Sequence, residues 1–250
     1  MYLPHHFAVS DLGEVAAFVA AAGAADLVTF DGTRPVATLV PVLWDRGSGA
    51  ATESGEPAGR EPGDGEYGRL LGHIALANPQ WQTAQPGALA LAIVHGPQAY
   101  ISPSWYESTT RHGRTVPTWN YQTVHLTGTL AVHRDPEWLR AQVARLTSRY
   151  EDFRPQPWAV TDAPPEYIDG QLRAIVGIEL AVTAVEAKYK LSQNRGAADQ
   201  AGARAGLRAE PGPGPAAIAA QMTARSPAST VNTAAETPPA AGRRGPGSAG

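Results

Sequence analysis

The chain has 250 residues and no cysteine, which excludes disulfides, thiolate catalysis and sulfur-ligated zinc and fits a reducing compartment. Its formal net charge is -3, and residues 1–207 hold 16 Lys plus Arg against 21 Asp plus Glu, so net charge supports no direct contact with DNA. No run approaches the roughly 18 apolar residues of a membrane span, and no basic segment precedes an apolar run at the N-terminus, so a cytoplasmic protein with no membrane partner is expected.

Ser10 is placed to cap a helix running to about Ala22, with Asp11 and Glu14 in its favoured first turns and Gly23 as its stop. Leu12, Val15, Phe18 and Val19 form its apolar stripe. Residues 27–30 and 36–44 then read as two strands joined by the turn dipeptide Asp31-Gly32. Pro41 in the second marks an edge or bulge, because proline cannot donate to a ladder. Residues 45–68 break the pattern with recurring glycine and with Glu53, Glu56, Glu61, Asp64 and Glu66, as a solvated connecting loop does.

Residues 69–76 resume as a strand, and Asn78-Pro79 opens a turn or short helix reaching Gln85. Residues 89–94 are a compact apolar strand, punctuated by Gly96-Pro97 and followed by a further short strand at 99–102. The longest β-like stretch is 118–133, interrupted at Gly128, where a bulge or bend is expected. Asp135 and Pro136 suit the cap and first position of a helix whose apolar face is Trp138, Leu139, Val143 and Leu146. A short helix at 168–172 and a final strand at 175–185 follow. Beyond Leu207 the chain is mostly Ala, Pro, Gly, Ser and Thr, too poor in large apolar side chains to offset ordering, so 208–250 is expected to be a disordered tail.

The sum is one mainly β domain over residues 1–207 with flanking helices, an antiparallel barrel or sandwich rather than a doubly wound sheet. G-x-G-x-x-G occurs at 63–68 and 245–250, in the Gly-rich loop and the tail, where neither copy leads from a strand into a helix as a dinucleotide fingerprint does, and no phosphate-binding G-x-x-x-x-G-K-[ST] occurs.

Three segments mix aromatic with amide and hydroxyl side chains: 72–81, 96–106 and 116–121, the last followed by His125. Such mixtures suit a flat aromatic ligand, and equally suit turns or a subunit interface. His73, His95 and His125 match no compact metal spacing, and no G-x-S-x-G elbow marks a nucleophilic serine, so no metal ligand and no catalytic residue is assigned. Lys188 and Lys190 are the only lysines. With Arg195 they form the best local cationic cluster, fit for a phosphate or for a solvated surface.

These segments resemble the PaiB-type family of FMN-binding negative transcriptional regulators. The resemblance runs through MYLPHHF, Leu27-Val28-Thr29, Pro35-Val36-Ala37-Thr38, Gly72-His73, Ala77-Asn78-Pro79-Gln80-Trp81, YISPSWY, VPTWNY, Val124-His125, Ile175-Val176-Gly177 and KYKLSQNR. It implies a split β-barrel of the pyridoxamine-phosphate-oxidase-like kind, a homodimer, and FMN near the subunit seam. Thr38, His73, Asn78, Trp105, Trp119 and Asn120 are the cofactor-side residues it suggests, and Arg195 is the cation added for the phosphate. Three positions depart from the family pattern: Leu39 replaces a usual histidine, Leu76 a usual arginine and Thr109 a usual lysine. Arg111, Arg114 and Arg195 are the candidates to replace the lost cations. The function expected is a flavin-binding regulator or sensor. A flavin-dependent oxidoreductase with a nicotinamide donor and a cofactor-free DNA-binding repressor are the alternatives.

Overall fold

The computed structural model describes residues 1–47, 65–83 and 87–225. The acidic Gly-rich stretch at 48–64, the end of the short helix expected to reach Gln85, and residues 226–250 lie outside them.

Among the described residues six strands carry the fold: β1 (Ala24–Phe30), β2 (Pro35–Asp45), β3 (Arg69–Ala75), β4 (Leu89–Ile101), β5 (Thr118–His133) and β6 (Ile175–Lys190). All pairings are antiparallel, and the order β1-β2-β3-β6-β5-β4 returns from β4 to β1. Around them lie α1 (Leu12–Ala22), α2 (Gln80–Thr83), α3 (Glu107–His112), α4 (Pro136–Glu151), α5 (Pro165–Leu172), α6 (Ala197–Ala209) and α7 (Pro213–Ala224). Helix and strand contribute comparably, so the fold is mixed α and β rather than mainly β.

Local chemistry explains the element ends. The Asp11 carboxylate, not Ser10, caps α1, accepting from the Gly13 and Glu14 amides at 2.7 and 3.0 Å. Gly23 closes the helix at φ 69°, where its amide reaches the Val19 carbonyl. In the β1–β2 turn, Asp31 accepts from the Thr33 and Arg34 amides and from the Thr33 hydroxyl. Those bonds, the hydroxyl's first, lower its pKa to about 2. Asp135 accepts from the Trp138 amide, with Pro136 next in line, as the sequence predicts.

β2 pairs with β1 through Pro41 and with β3 only from Val42 onward. Pro41 therefore stands where the strand changes neighbours, on an otherwise unpaired edge. The register of β5 on β6 shifts between Thr127 and Gly128. A Cβ on Gly128 would lie 2.0 Å from the Ala181 carbonyl oxygen, so only glycine fits there.

Three expectations are corrected. Gly96-Pro97 does not separate two strands; it is a bulge inside the continuous β4, between His95 and Gln98. The last strand does not end at Val185 but runs to Lys190, so Lys188 and Lys190 belong to β6. The ordered domain does not end at Leu207. α7 packs on the barrel with Ile218, Ala219 and Met222 buried. Alanine favours helix, and a short helix needs only one apolar face to dock, so the low average bulk of this segment misleads.

The interior of the barrel is filled. Alternate residues such as Leu27, Val40, Leu70, Ala92 and Leu180 point inward and leave a void of only about 10 Å³. A second, smaller core joins Leu139 of α4, Val160, and Ile168 and Leu172 of α5. α4 is held to the sheet by Trp138, whose ring covers Gly177 so closely that a Cβ there would approach it to 2.1 Å.

Candidate functional site

The residues expected at a cofactor fall in several places. Thr38 and Asn78 come together: the Asn78 amide donates to the Thr38 hydroxyl at 2.9 Å. Beside them the buried Gln80 donates to the Leu27 carbonyl and to the Thr29 hydroxyl. Thr38 shares the inward parity of Val40 and Val42, so this cluster plugs one end of the barrel. His73 has the opposite parity on β3 and pairs with Gly177. Its Nδ1 is buried without a partner among the described residues, and burial lowers its pKa.

Trp105 lies against α6, where a Cβ on Gly206 would meet its ring at 2.2 Å. Asn120 is fully buried, exchanges hydrogen bonds with Ser192, and touches the Met222 sulfur of α7. Arg195 stacks its guanidinium 4.7 Å from the centre of the Tyr106 ring. Trp119 points outward, half exposed, edge-to-face with Tyr100 across the β4–β5 pair. The Lys190 ammonium is tied to the Thr118 hydroxyl and the Trp119 carbonyl, both at 2.6 Å. Burial, then the nearby Lys188 and Arg195, lowers its pKa.

The outer face of β4, β5 and β6 holds a cleft of about 550 Å³. The strand alternation that buries Gln122 and Val124 turns Tyr121, Thr123 and His125 outward. β4 adds His95 and Gln98, and β6 adds Lys188. The Lys188 ammonium lies 5.5 Å from the centres of both the Tyr2 and Tyr121 rings and donates to the Tyr2 carbonyl at 2.9 Å. His95 Nε2 stands 3.2 Å from an Asp26 carboxylate oxygen. Burial first, then the terminal amine and His95, holds His125 below the ordinary histidine pKa, against an opposing pull from Glu186. A neutral imidazole both donates and accepts hydrogen bonds. The cleft thus presents ring faces, amide and hydroxyl groups and one nearly buried cation, a set suited to a planar ligand with an anionic arm.

Sequence reasoning named His95, His125 and Lys188 without joining the three, and held Tyr121 only as part of the segment 116–121. The signal available was the parity of residues 119–125; the cross-strand partners Thr123 with Lys188 and Ile93 with His125 are visible only in the fold. Among the described residues no cluster of metal-ligating side chains occurs, and no helix is long and apolar enough to cross a membrane.

Residues 1–184 match the family model described as "Putative FMN-binding domain". The chain is 33% identical over 199 residues to the protease synthase and sporulation protein PAI 2 of Bacillus subtilis, covering 80% of this chain and 85% of that protein. It is 32% identical over 179 residues to an uncharacterized protein of Aspergillus fumigatus, covering 58% of this chain and 68% of the relative. Among solved structures, the FAD and heme binding protein of Mycobacterium smegmatis superposes with a TM-score of 0.49 at 16% identity, covering 73% of each chain. A family match spanning β1 to β5 and β6 as far as Ala184, together with a relative aligned over most of both chains, places this protein: it belongs to the PaiB-type family of FMN-binding-domain proteins.

Proposed function

We propose that the chain is an FMN-binding negative transcriptional regulator or flavin-dependent sensor, acting as a homodimer with a split-barrel fold of the pyridoxamine-phosphate-oxidase-like kind. The family match across residues 1–184 carries this reading. The cleft on β4, β5 and β6 supports it, because its volume of about 550 Å³ lies inside the usual range for small-ligand sites. With the barrel interior filled, we place the flavin on the outside.

The donor set fits FMN. Tyr121 and Tyr2 offer ring faces, Gln98 and Thr123 offer polar edges, and Lys188 offers a cation. FMN when bound supplies redox chemistry, while this chain supplies binding and orientation. Trp119 on the neighbouring outward row remains a candidate contact. Thr38, Asn78 and Asn120 have their side chains engaged within the fold, so we assign them to supporting the barrel that presents the cleft. Exposed Trp119, Tyr100 and Val116 are the apolar groups we place at the dimer seam. The chain's net charge of -3 gives no reason to include direct DNA contact.

Titrating the purified protein with FMN, followed by native mass measurement, tests the reading. The expected result is saturable uptake by a dimer with quenched flavin fluorescence. A protein that takes up no FMN overturns it.

A further inference from the structure

A second crevice shares no residue with the cleft. It has a volume of about 500 Å³ and opens between α4, α5 and the start of β6. Leu139 and Leu172, both members of the smaller core, form its floor with Ile175. Arg134, Asp169 and Arg173 stand at its rim.

The charges at that rim are unequally spent. Asp169 is paired with Arg140, which offsets its carboxylate. Asp135, beside Arg134 in the chain, is turned to the Trp138 amide as the cap of α4. Among the described residues neither Arg134 nor Arg173 has a carboxylate partner. The Arg134 guanidinium is held 5.5 Å from the Trp81 ring, a cation–π contact that leaves its N–H donors available.

Arg134 and Arg173 are exposed, Leu139 and Leu172 keep only 3% and 4% of their surface open, and the partly exposed Ile175 is the main apolar wall between them. A bare inorganic anion can meet the charges but gains nothing from that wall. A molecule with a hydrocarbon body and one planar anionic head satisfies both parts, since guanidinium matches carboxylate in shape and charge. Asp169 at the same rim disfavours a second negative charge. We propose that this crevice binds a small amphipathic monocarboxylate, its head on Arg134 and Arg173 and its apolar body on Leu139, Leu172 and Ile175. The inference does not depend on flavin binding.

Calorimetric titration of the full chain with octanoate, octanamide and inorganic phosphate tests it. Octanoate should bind saturably, the isosteric neutral amide about tenfold or more weaker, and phosphate not measurably. The double substitution Arg134→Gln and Arg173→Gln should weaken octanoate about tenfold or more while leaving FMN titration unchanged and the protein folded. Asp169→Asn, which releases Arg140, should tighten octanoate binding, and this readout stands even if the double variant folds poorly. No saturable octanoate binding, equal binding of the amide, or undiminished binding by a folded double variant overturns the proposal.

Discussion

Asn120 on β5 and Ser192, just past the end of β6, exchange hydrogen bonds of 3.0 and 3.2 Å in a space closed by Met222 of α7. Both residues are buried, so neither has water as an alternative partner. Asn120→Ala should leave the Ser192 hydroxyl unpaired and open a small void. The expected loss is about 1–3 kcal/mol of unfolding free energy, read as a lower urea midpoint. An unchanged midpoint would mean that the pair contributes nothing net.

Removal of residues 210–250 deletes α7. Burial of Ile218 and Met222 stabilises by about 1.5–3 kcal/mol each, so the truncated chain should lose about 3–6 kcal/mol by the same reckoning. It should also bind the dye ANS at the newly uncovered barrel surface. A truncated chain that melts with the full chain and binds no dye would show that this helix is dispensable.

His73 titrates in a way that destabilises the fold in acid. Burial lowers its pKa from the ordinary 6.5, so below that pH the unfolded chain takes up the proton more readily than the folded one. Stability is therefore unaffected by this group above pH 6.5 and falls as the pH drops from 6.5 toward the folded value. His125, also lowered, acts in the same sense. His73→Gln should flatten the dependence of the melting temperature on pH across that window. The same slope in wild type and variant would remove His73 from the account.

In the cleft, Lys188→Met keeps an unbranched side chain at that position but removes the ammonium that stands by the Tyr2 and Tyr121 rings. If FMN presents its phosphate to Lys188, affinity should fall about tenfold or more, the scale of one charge-assisted hydrogen bond. Riboflavin, which lacks the phosphate, should be little affected. Equal losses for the two ligands would place the phosphate elsewhere.

Much of the fold was legible because local signals agreed. Asp31-Gly32, Asp135-Pro136 and the interruption at Gly128 each fixed a boundary that the structure reproduces. Gly96-Pro97 misled, since the same dipeptide serves a turn between strands or a bulge within one, and only the continued pairing of Gln98 with Tyr121 decides. The C-terminal segment misled for a different reason. Average composition dilutes Ile218 and Met222 among Ala and Pro, although those two side chains on one helix face suffice for docking. The site was the least legible part, because Tyr121, His95 and Lys188 lie on three strands far apart in the chain. Aromatic and polar richness around Trp105 and Asn120 pointed to a ligand, yet it also describes the seats on which α6 and α7 rest.

The solid interior of the barrel has a consequence for how this chain can change. Inward side chains are committed to one another with almost no spare room, whereas those that would meet a ligand alternate with them and face away. Exchanging an outward residue leaves the inner packing intact, so recognition can be retuned one position at a time without first loosening the molecule.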